Sequence, residues 1–363
     1  MLRNSLALQS ALNHMRWIAA LIVVTSHARG LYFLPRSEVD GKSLMLDLFY
    51  LLSRMGQEAV VLFFVMSGLL IGGKFLSPEN QDPVRFGNYL VARVSRLGVV
   101  AIPCILLCYA LLQTGQPYSL EECSSAVVLL ANLFFLQDIL VPPLCNNPPL
   151  WSLSNEFWYY ILFPLIIFSI KCRNSLPYLL AAFFLASAIL FLDNYDDRMI
   201  LLYFPAWLSG ILVWHKKTPC LPTYITLPIL MLCMVFARIP LYEQFFWAKD
   251  FLICISAVLF LKSTLRLKNK TSYIDRIGRK WADFSFSLYV IHYPLLLSVP
   301  PILVYMGLPS GELSPFAASS YSIYAGLILF SVLTGYIFSL LTERHTDKIR
   351  WLVQKVLTKR EII

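Results

Sequence analysis

The stretch Tyr321–Leu341 reads YSIYAGLILFSVLTGYIFSLL and contains no charged side chain. At 1.5 Å per residue, a helix of that length rises about 31 Å, close to the thickness of bilayer hydrocarbon. Two further runs of the same character are Leu179–Leu192 and Ile200–Trp214. The whole 363-residue chain follows them: 58% of its residues are hydrophobic, 14% are charged, and its mean hydropathy is +0.66. A water-soluble domain carries about 25% charged residues and has less apolar surface to hide. The excess faces lipid, and the sequence predicts an all-α polytopic membrane protein.

Eleven apolar runs follow one another, near 15–34, 59–74, 97–112, 124–140, 153–170, 176–192, 199–214, 222–237, 245–262, 283–305 and 319–342. Basic residues sit between them, at Lys74, Arg85, Arg93 and Arg96, at Lys171 and Arg173, at His215–Lys217, from Lys262 to Lys280, and in the tail from Lys348 to Arg360. Interleaved in this way, the net charge of +9 reads as the positive-inside bias of cytoplasmic loops, and argues against a nucleic-acid surface. With Arg96 and Lys171 both inside, an even number of crossings must separate them, yet three runs lie between. The run 124–140 holds Asn132 and Asp138 and leads into the Pro-rich Val141–Pro149, so it is expected to be re-entrant or to lie along the outer face. That leaves about ten transmembrane helices with both termini cytoplasmic, in a single domain over 1–363 with no soluble domain appended and no cleavable signal peptide.

None of the eight cysteines forms a CxxC pair, so no metal or redox motif is indicated. Cys104 and Cys108 read as core packing one turn apart, while Cys123 and Cys145 could meet in an exported loop.

Polar residues inside membrane segments are costly and mark functional candidates. Arg16 and His27 lie eleven residues apart, three turns plus about 20°, so they share a helix face roughly 16 Å apart. An arginine at the cytoplasmic mouth suits a phosphate; a histidine deep in the helix suits a general base. A snorkelling arginine and a histidine bonded to a backbone carbonyl explain the same spacing. Arg93 and Arg96, at i and i+3, offer two guanidinium groups on one face, as a phosphate site or as topogenic charge. Glu58 and Glu156 each open an apolar run near the outer face; Ser67 and Gly68 permit close helix contact. Ser285, Tyr289 and His292 line one face of a late helix, in a catalytic cluster or a structural hydrogen-bond network.

Five of these segments, in order along nearly the whole chain, resemble the acyltransferase-3 family of integral membrane enzymes. Arg16 through His27 looks like its arginine, ten residues, histidine signature, and Gly56 through Gly68 (GQEAVVLFFVMSG) its second-helix motif. Arg93-Val94-Ser95-Arg96 is similar to its RxxR element, Trp151 through Glu156 (WSLSNE) to its WSLxxE element, and Ser285 through Pro294 (SFSLYVIHYP) to its SYxxYxxHxP element. Asn13 stands where the family commonly has aspartate, Trp17 where glycine follows the arginine, and Phe286 where tyrosine is usual; Glu343-Arg344-His345 lacks the proline often found there.

The resemblance implies an O-acyltransferase that takes an acyl group, acetyl most commonly, from cytoplasmic acyl-CoA to a carbohydrate hydroxyl on the other face of the cell membrane. The acceptor would be a surface, lipid-linked or secreted glycan, and no metal is called for. His27 is then the general base, Arg16, Arg93 and Arg96 hold the donor's phosphates, Glu156 or Glu58 orients the imidazole or holds the acceptor, and Tyr289 or Ser285 assists the oxyanion. The rival reading is a transporter or flippase for a glycan or small anionic solute, with Arg16, His27 and Glu156 on its path; a non-catalytic scaffold is a third.

Overall fold

The computed structural model of the chain describes residues 5–41, 43–75, 86–114, 121–171, 175–192, 200–238, 246–267, 272–305 and 312–360. Arg85, Arg173, the acidic Asp193–Asp197 stretch, positions 268–271 and most of the Gly307–Pro315 loop lie outside them. Among the described residues the regular structure is helical, with two isolated β-bridges, Phe33–Leu313 and Gln137–Val141. In chain order the α-helices are α1 (Leu6–Tyr32), α2 (Leu44–Leu52), α3 (Gly56–Phe75), α4 (Phe86–Leu112), α5 (Glu121–Ser124), α6 (Ala126–Leu133), α7 (Trp151–Lys171) and α8 (Leu176–Leu192). They continue as α9 (Ile200–Ser209), α10 (Thr223–Phe236), α11 (Phe246–Thr264), α12 (Tyr273–Ala282), α13 (Ser285–Tyr305), α14 (Ala318–Leu341) and α15 (Thr346–Arg360).

Four helical stretches, Leu44–Gly73, Phe86–Leu112, Pro148–Lys171 and Ala318–Leu357, are long and apolar enough to cross a membrane. A fifth exists if α12 and α13, bent by 49° at their junction, make one broken span. The expectation of about ten spans therefore finds this length and apolarity in four or five. Elsewhere the apolar helices are shorter, as in Leu176–Phe191, Ile200–Trp214 and Thr223–Phe236, or interrupted by charge, as α11 is by Lys249, Asp250 and Lys262. Within the run 124–140, α6 has eight residues, and a rise of about 12 Å cannot cross roughly 30 Å of hydrocarbon. Prolines sit inside α4, α7, α9, α10 and α13 (Pro103, Pro164, Pro205, Pro228, Pro294, Pro300 and Pro301), which membrane helices tolerate where neighbours satisfy the freed carbonyls.

The chain divides into two compact units, residues 1–66 with 209–337, and residues 67–208 with 338–363. In the first unit, α1 is the central element. Its N-cap is Ser5, whose Oγ accepts from Leu8 N. The small and branched residues Ala20 and Val24 pack with Phe284 in the turn before α13, Leu288 of α13 and Val332 of α14. One turn further, Ala28, Tyr32 and Phe33 pack with Leu296 and Leu327. Two tyrosine hydroxyls lock the register: Tyr32 donates to Leu296 O at 2.6 Å, and Tyr324 to Thr25 O at 2.8 Å. At the other end of α1, α12 lies alongside. Ser10 donates to Asp275, and Gly278 faces His14 so closely that a Cβ there would stand 2.5 Å from the imidazole. These contacts fix the rotation of α1 and therefore the direction of His27.

In the second unit α4 packs against α6, α7 and α15, and α7 against α8. The segment between α6 and α7 is stitched down by side chains that supply donors to its backbone. Gln137 Nε2 donates to Leu150 O, while Ser154 Oγ and Trp158 Nε1 both donate to Phe135 O. Asn146 Nδ2 donates to Cys108 O of α4, and Cys123 and Cys145 form a disulfide with Cα atoms 5.4 Å apart. Phe135 and Asp138 have φ of 57° and 61°, a left-handed conformation that non-glycine residues hold only under such restraint. A cross-link spanning 22 positions is worth about 3 kcal/mol of chain entropy. Cys145→Ser is therefore expected to lower the apparent Tm in detergent by several degrees, and reductant to do the same to the wild type; an unchanged Tm in both would show that the stitching suffices without the bond.

Candidate functional site

In the first unit His27 Nδ1 lies 2.8 Å from His292 Nε2, with the two ring planes parallel to within 10° and the centroids 5.1 Å apart. The roles in this pair follow from what lies behind it. His292 Nδ1 faces only carbonyl oxygens, Tyr289 O at 2.7 Å and Leu288 O at 3.2 Å, so Nδ1 must carry a hydrogen and donate. A neutral His292, fully buried, then presents a bare Nε2, which accepts from Nδ1–H of His27. The neutral His27 is left with its lone pair on Nε2. Backbone, His292 and His27 thus form a relay that fixes one tautomer, as the orienting partner of a catalytic histidine does. Tyr293 packs edge-on against His27 at 5.1 Å and holds the ring plane.

The late helix therefore contributes through His292, which the spacing of Ser285, Tyr289 and His292 flagged as either catalytic or structural. Tyr289 acts through its backbone carbonyl on His292, and its ring packs on Phe63 at 5.6 Å. Ser285 donates to Ala282 O at 2.8 Å, which uses its only hydrogen. Arg16 lies half-buried on α1, eleven residues before His27. Glu58, at the start of α3, is completely buried and receives Arg238, with Nε at 2.8 Å and Nη2 at 2.7 Å from Oε2. The sequence reading did not single out Arg238; its signal was one arginine closing the apolar run 222–237.

In the second unit Glu156, in the second turn of α7, is the hub. Ser67 Oγ donates to Glu156 Oε1 at 2.6 Å, and the Tyr160 hydroxyl donates to the same oxygen. Trp207 Nε1 donates in turn to Ser67 Oγ at 3.1 Å. Among the described residues Oε2 has no hydrogen-bond partner and is not enclosed, so one carboxylate oxygen is held and the other is open. Gly68 is what lets α3 approach: a Cβ there would stand 1.7 Å from Trp207 O. Ser67 and Gly68 are thus the close-contact pair expected of small residues, with Ser67 also serving the carboxylate.

Arg93 and Arg96 project from α4 in this same unit, both half-buried. Arg93 sits over the Tyr89 ring, Cζ 5.9 Å from its centroid, and its Nε is buried with no partner. Arg96 lies within electrostatic reach of Tyr160. Among the described residues neither guanidinium forms an ion pair with a carboxylate. The candidates read from sequence thus fall into two sets: Arg16, His27, Glu58, Ser285, Tyr289 and His292 in the first unit, Arg93, Arg96 and Glu156 in the second. Among the described residues no group of three or more His, Cys, Asp or Glu is arranged to hold a metal.

Comparison with known proteins bears on this constellation. The family model described as the acyltransferase domain of the acyltransferase-3 family matches residues 9–324. The O-acetyl transferase of Shigella phage Sf6 is 23% identical over 299 residues, covering 77% of this chain and 82% of its own length. Acyltransferase MdmB of Streptomyces mycarofaciens is 29% identical over 159 residues, 43% of this chain and 38% of that protein. No solved structure matches the chain. With the family model spanning His27, Glu58, Arg93, Arg96, Glu156 and His292 alike, the chain belongs to the acyltransferase-3 family and is an O-acyltransferase.

Proposed function

We propose that the protein moves an acyl group, acetyl first among candidates, from cytoplasmic acyl-CoA to a hydroxyl of a surface or lipid-linked carbohydrate, with the chain acting as one multi-pass domain of the cell membrane. The observation that carries this reading is the fixed tautomer of His27, which leaves Nε2 as a base. His27 Nε2 takes the proton of the acceptor hydroxyl as its oxygen attacks the thioester carbonyl. The C–O bond forms, the C–S bond breaks, and the imidazolium returns the proton to the departing thiolate. His292 keeps the ring in register throughout, and the open oxygen of Glu156 is available to a substrate hydroxyl.

Arg16, Arg93 and Arg96 supply donor phosphate contacts in this reading. Half-buried guanidinium groups without carboxylate partners, as at Arg93 and Arg96, favour an external anion. The disulfide supports the orientation. Cys123–Cys145 belongs to an oxidising compartment, so the α4 end at Leu112 and the α7 start at Trp151 would face outward. The opposite end of α4, which bears Arg93 and Arg96, and Lys171 at the end of α7 would then face the cytoplasm, with both termini inside. Transfer to oxygen, and acetyl as the group, draw support from the printed name of the Sf6 relative, an O-acetyl transferase.

The experiment is ligand-dependent stability of the purified full chain in detergent. Binding to the native state raises apparent Tm with ligand concentration. Acetyl-CoA and free CoA are expected to raise Tm progressively, while dephosphorylated pantetheine does not. Absence of any CoA-dependent shift in folded protein would remove the donor from the proposal and favour a transport function.

A further inference from the structure

The end of α1 that carries His27 also carries a group of charges of which the acyl-transfer reading gave a role to Glu58 alone. Gly56 meets α1 at Ser26, where an added Cβ would stand 2.9 Å from Ser26 Oγ, so the first turn of α3 abuts the last turns of α1. Glu58 follows half a turn later, 0% exposed, with both contacts from Arg238 falling on Oε2. Its Oε1 is buried and has no hydrogen-bond partner. Asp250 of α11 lies in the electrostatic field of Glu58, Arg238 and Lys249, and its Oδ1 is likewise buried without a partner.

Arg29, two residues beyond His27, is within electrostatic reach of Arg54 and Arg238. Its side chain rests on the Tyr50 ring at 5.7 Å, and its Nε is buried unpaired. Among the described residues no carboxylate ion-pairs with it. Arg54 is exposed, Arg29, Arg238 and Asp250 are half-buried, and Glu58 is fully buried, so the charge nearest solvent is basic and the deepest is acidic.

Those atoms ask for complementary chemistry. A buried carboxylate oxygen without a donor is costly and wants a hydroxyl; a half-buried guanidinium among like charges wants an anion. We infer that Arg29, Glu58, Arg238 and Asp250 form a binding site for an acidic sugar, the anionic group held at Arg29 and neighbouring hydroxyls donating to Glu58 Oε1 and Asp250 Oδ1. This rests on the acyl-transfer reading, for which it names the acceptor class: a glycan bearing a carboxylate, as in a uronic acid, or a phosphate, as in a sugar 1-phosphate. Arg29 and His27 stand about 3 Å apart along the axis of α1 but about 200° apart around it, so an acceptor gripped by its charge is held at the base's end of the helix and on the face away from the base.

The test is thermal stability of the purified full chain at fixed ionic strength with hexuronic acids, hexose 1-phosphates, neutral hexoses (gluco, galacto and manno forms of each) and inorganic phosphate. A member of the acidic-sugar set is expected to raise Tm by several degrees in wild type. Its neutral counterpart and inorganic phosphate do not, and Arg29→Gln abolishes the shift while keeping the response to acetyl-CoA. The uronic-acid and 1-phosphate arms tell which anion is taken. If Arg29→Gln does not fold, Asp250→Ala, which removes the acceptor oxygen, serves with the same readout. The inference is overturned if no acidic sugar shifts Tm, if a neutral hexose or phosphate alone does as well, or if both variants keep the shift. The acetyl-CoA response of the wild type tests the transferase reading separately.

Discussion

His27→Ala is expected to lower acyl transfer by about 10²- to 10⁴-fold, the range that a positioned general base contributes, with membrane protein level and Tm close to wild type. The size follows from the geometry of the relay. Only one ring nitrogen of His27 carries a lone pair in the neutral state, and the carbonyls of Tyr289 and Leu288 dictate which one, through His292. Removing the imidazole leaves the incoming hydroxyl to lose its proton to water. His292→Ala is expected to be less damaging and to act differently. It keeps the base but frees its tautomer and ring plane, so kcat falls more than KM changes. The readout is acetyl transfer in membranes at matched protein level; full activity in His27→Ala would exclude the general-base role.

Arg93→Ala/Arg96→Ala is expected to raise the KM for acyl-CoA by about 10²-fold or more, since each charge-assisted hydrogen bond contributes on the order of 1.5–3 kcal/mol. The two arginines are one turn apart on α4, and neither is occupied by a carboxylate among the described residues. On the proposed reading their replacement removes donor contacts and strands no internal carboxylate. Tm without ligand should change little, and the Tm increase given by acetyl-CoA should vanish. A double variant that lost Tm but kept the response to CoA would show that the pair supports the fold and that the donor phosphates bind elsewhere. Arg93→Lys/Arg96→Lys separates charge from geometry, because lysine keeps the charge and loses the two-pronged contact.

The helical membrane class was legible because hydrophobic length is a one-dimensional property, and Tyr321–Leu341 carries it without ambiguity. The number of spans was less so. An apolar run in sequence does not reveal whether its helix is broken, as at the 49° bend between α12 and α13, or ends after eight residues, as α6 does. The candidate residues were legible one at a time, from the cost of placing charge in lipid. Their partners were not. That His292 orients His27, 265 positions away, and that Trp207 reaches Ser67 across 140, are facts of tertiary packing to which helical periodicity is blind. Arg238 escaped notice for the same reason, since a lone arginine at a helix end reads equally as topogenic charge. The cysteines show the reverse case: the reading that Cys123 and Cys145 meet needed only that both flank one short segment, and the two are bonded.

The most direct test of the central claim is to follow the acyl group itself. Membranes containing the protein are incubated with acetyl-CoA labelled on its acetyl group together with a total glycan fraction, and alkali-labile label is measured in the carbohydrate. Label that accumulates with wild type and falls to background with His27→Ala is the predicted result. Carbohydrate left unlabelled by wild type under conditions where acetyl-CoA demonstrably stabilises the protein, or labelled equally by both, would contradict the account.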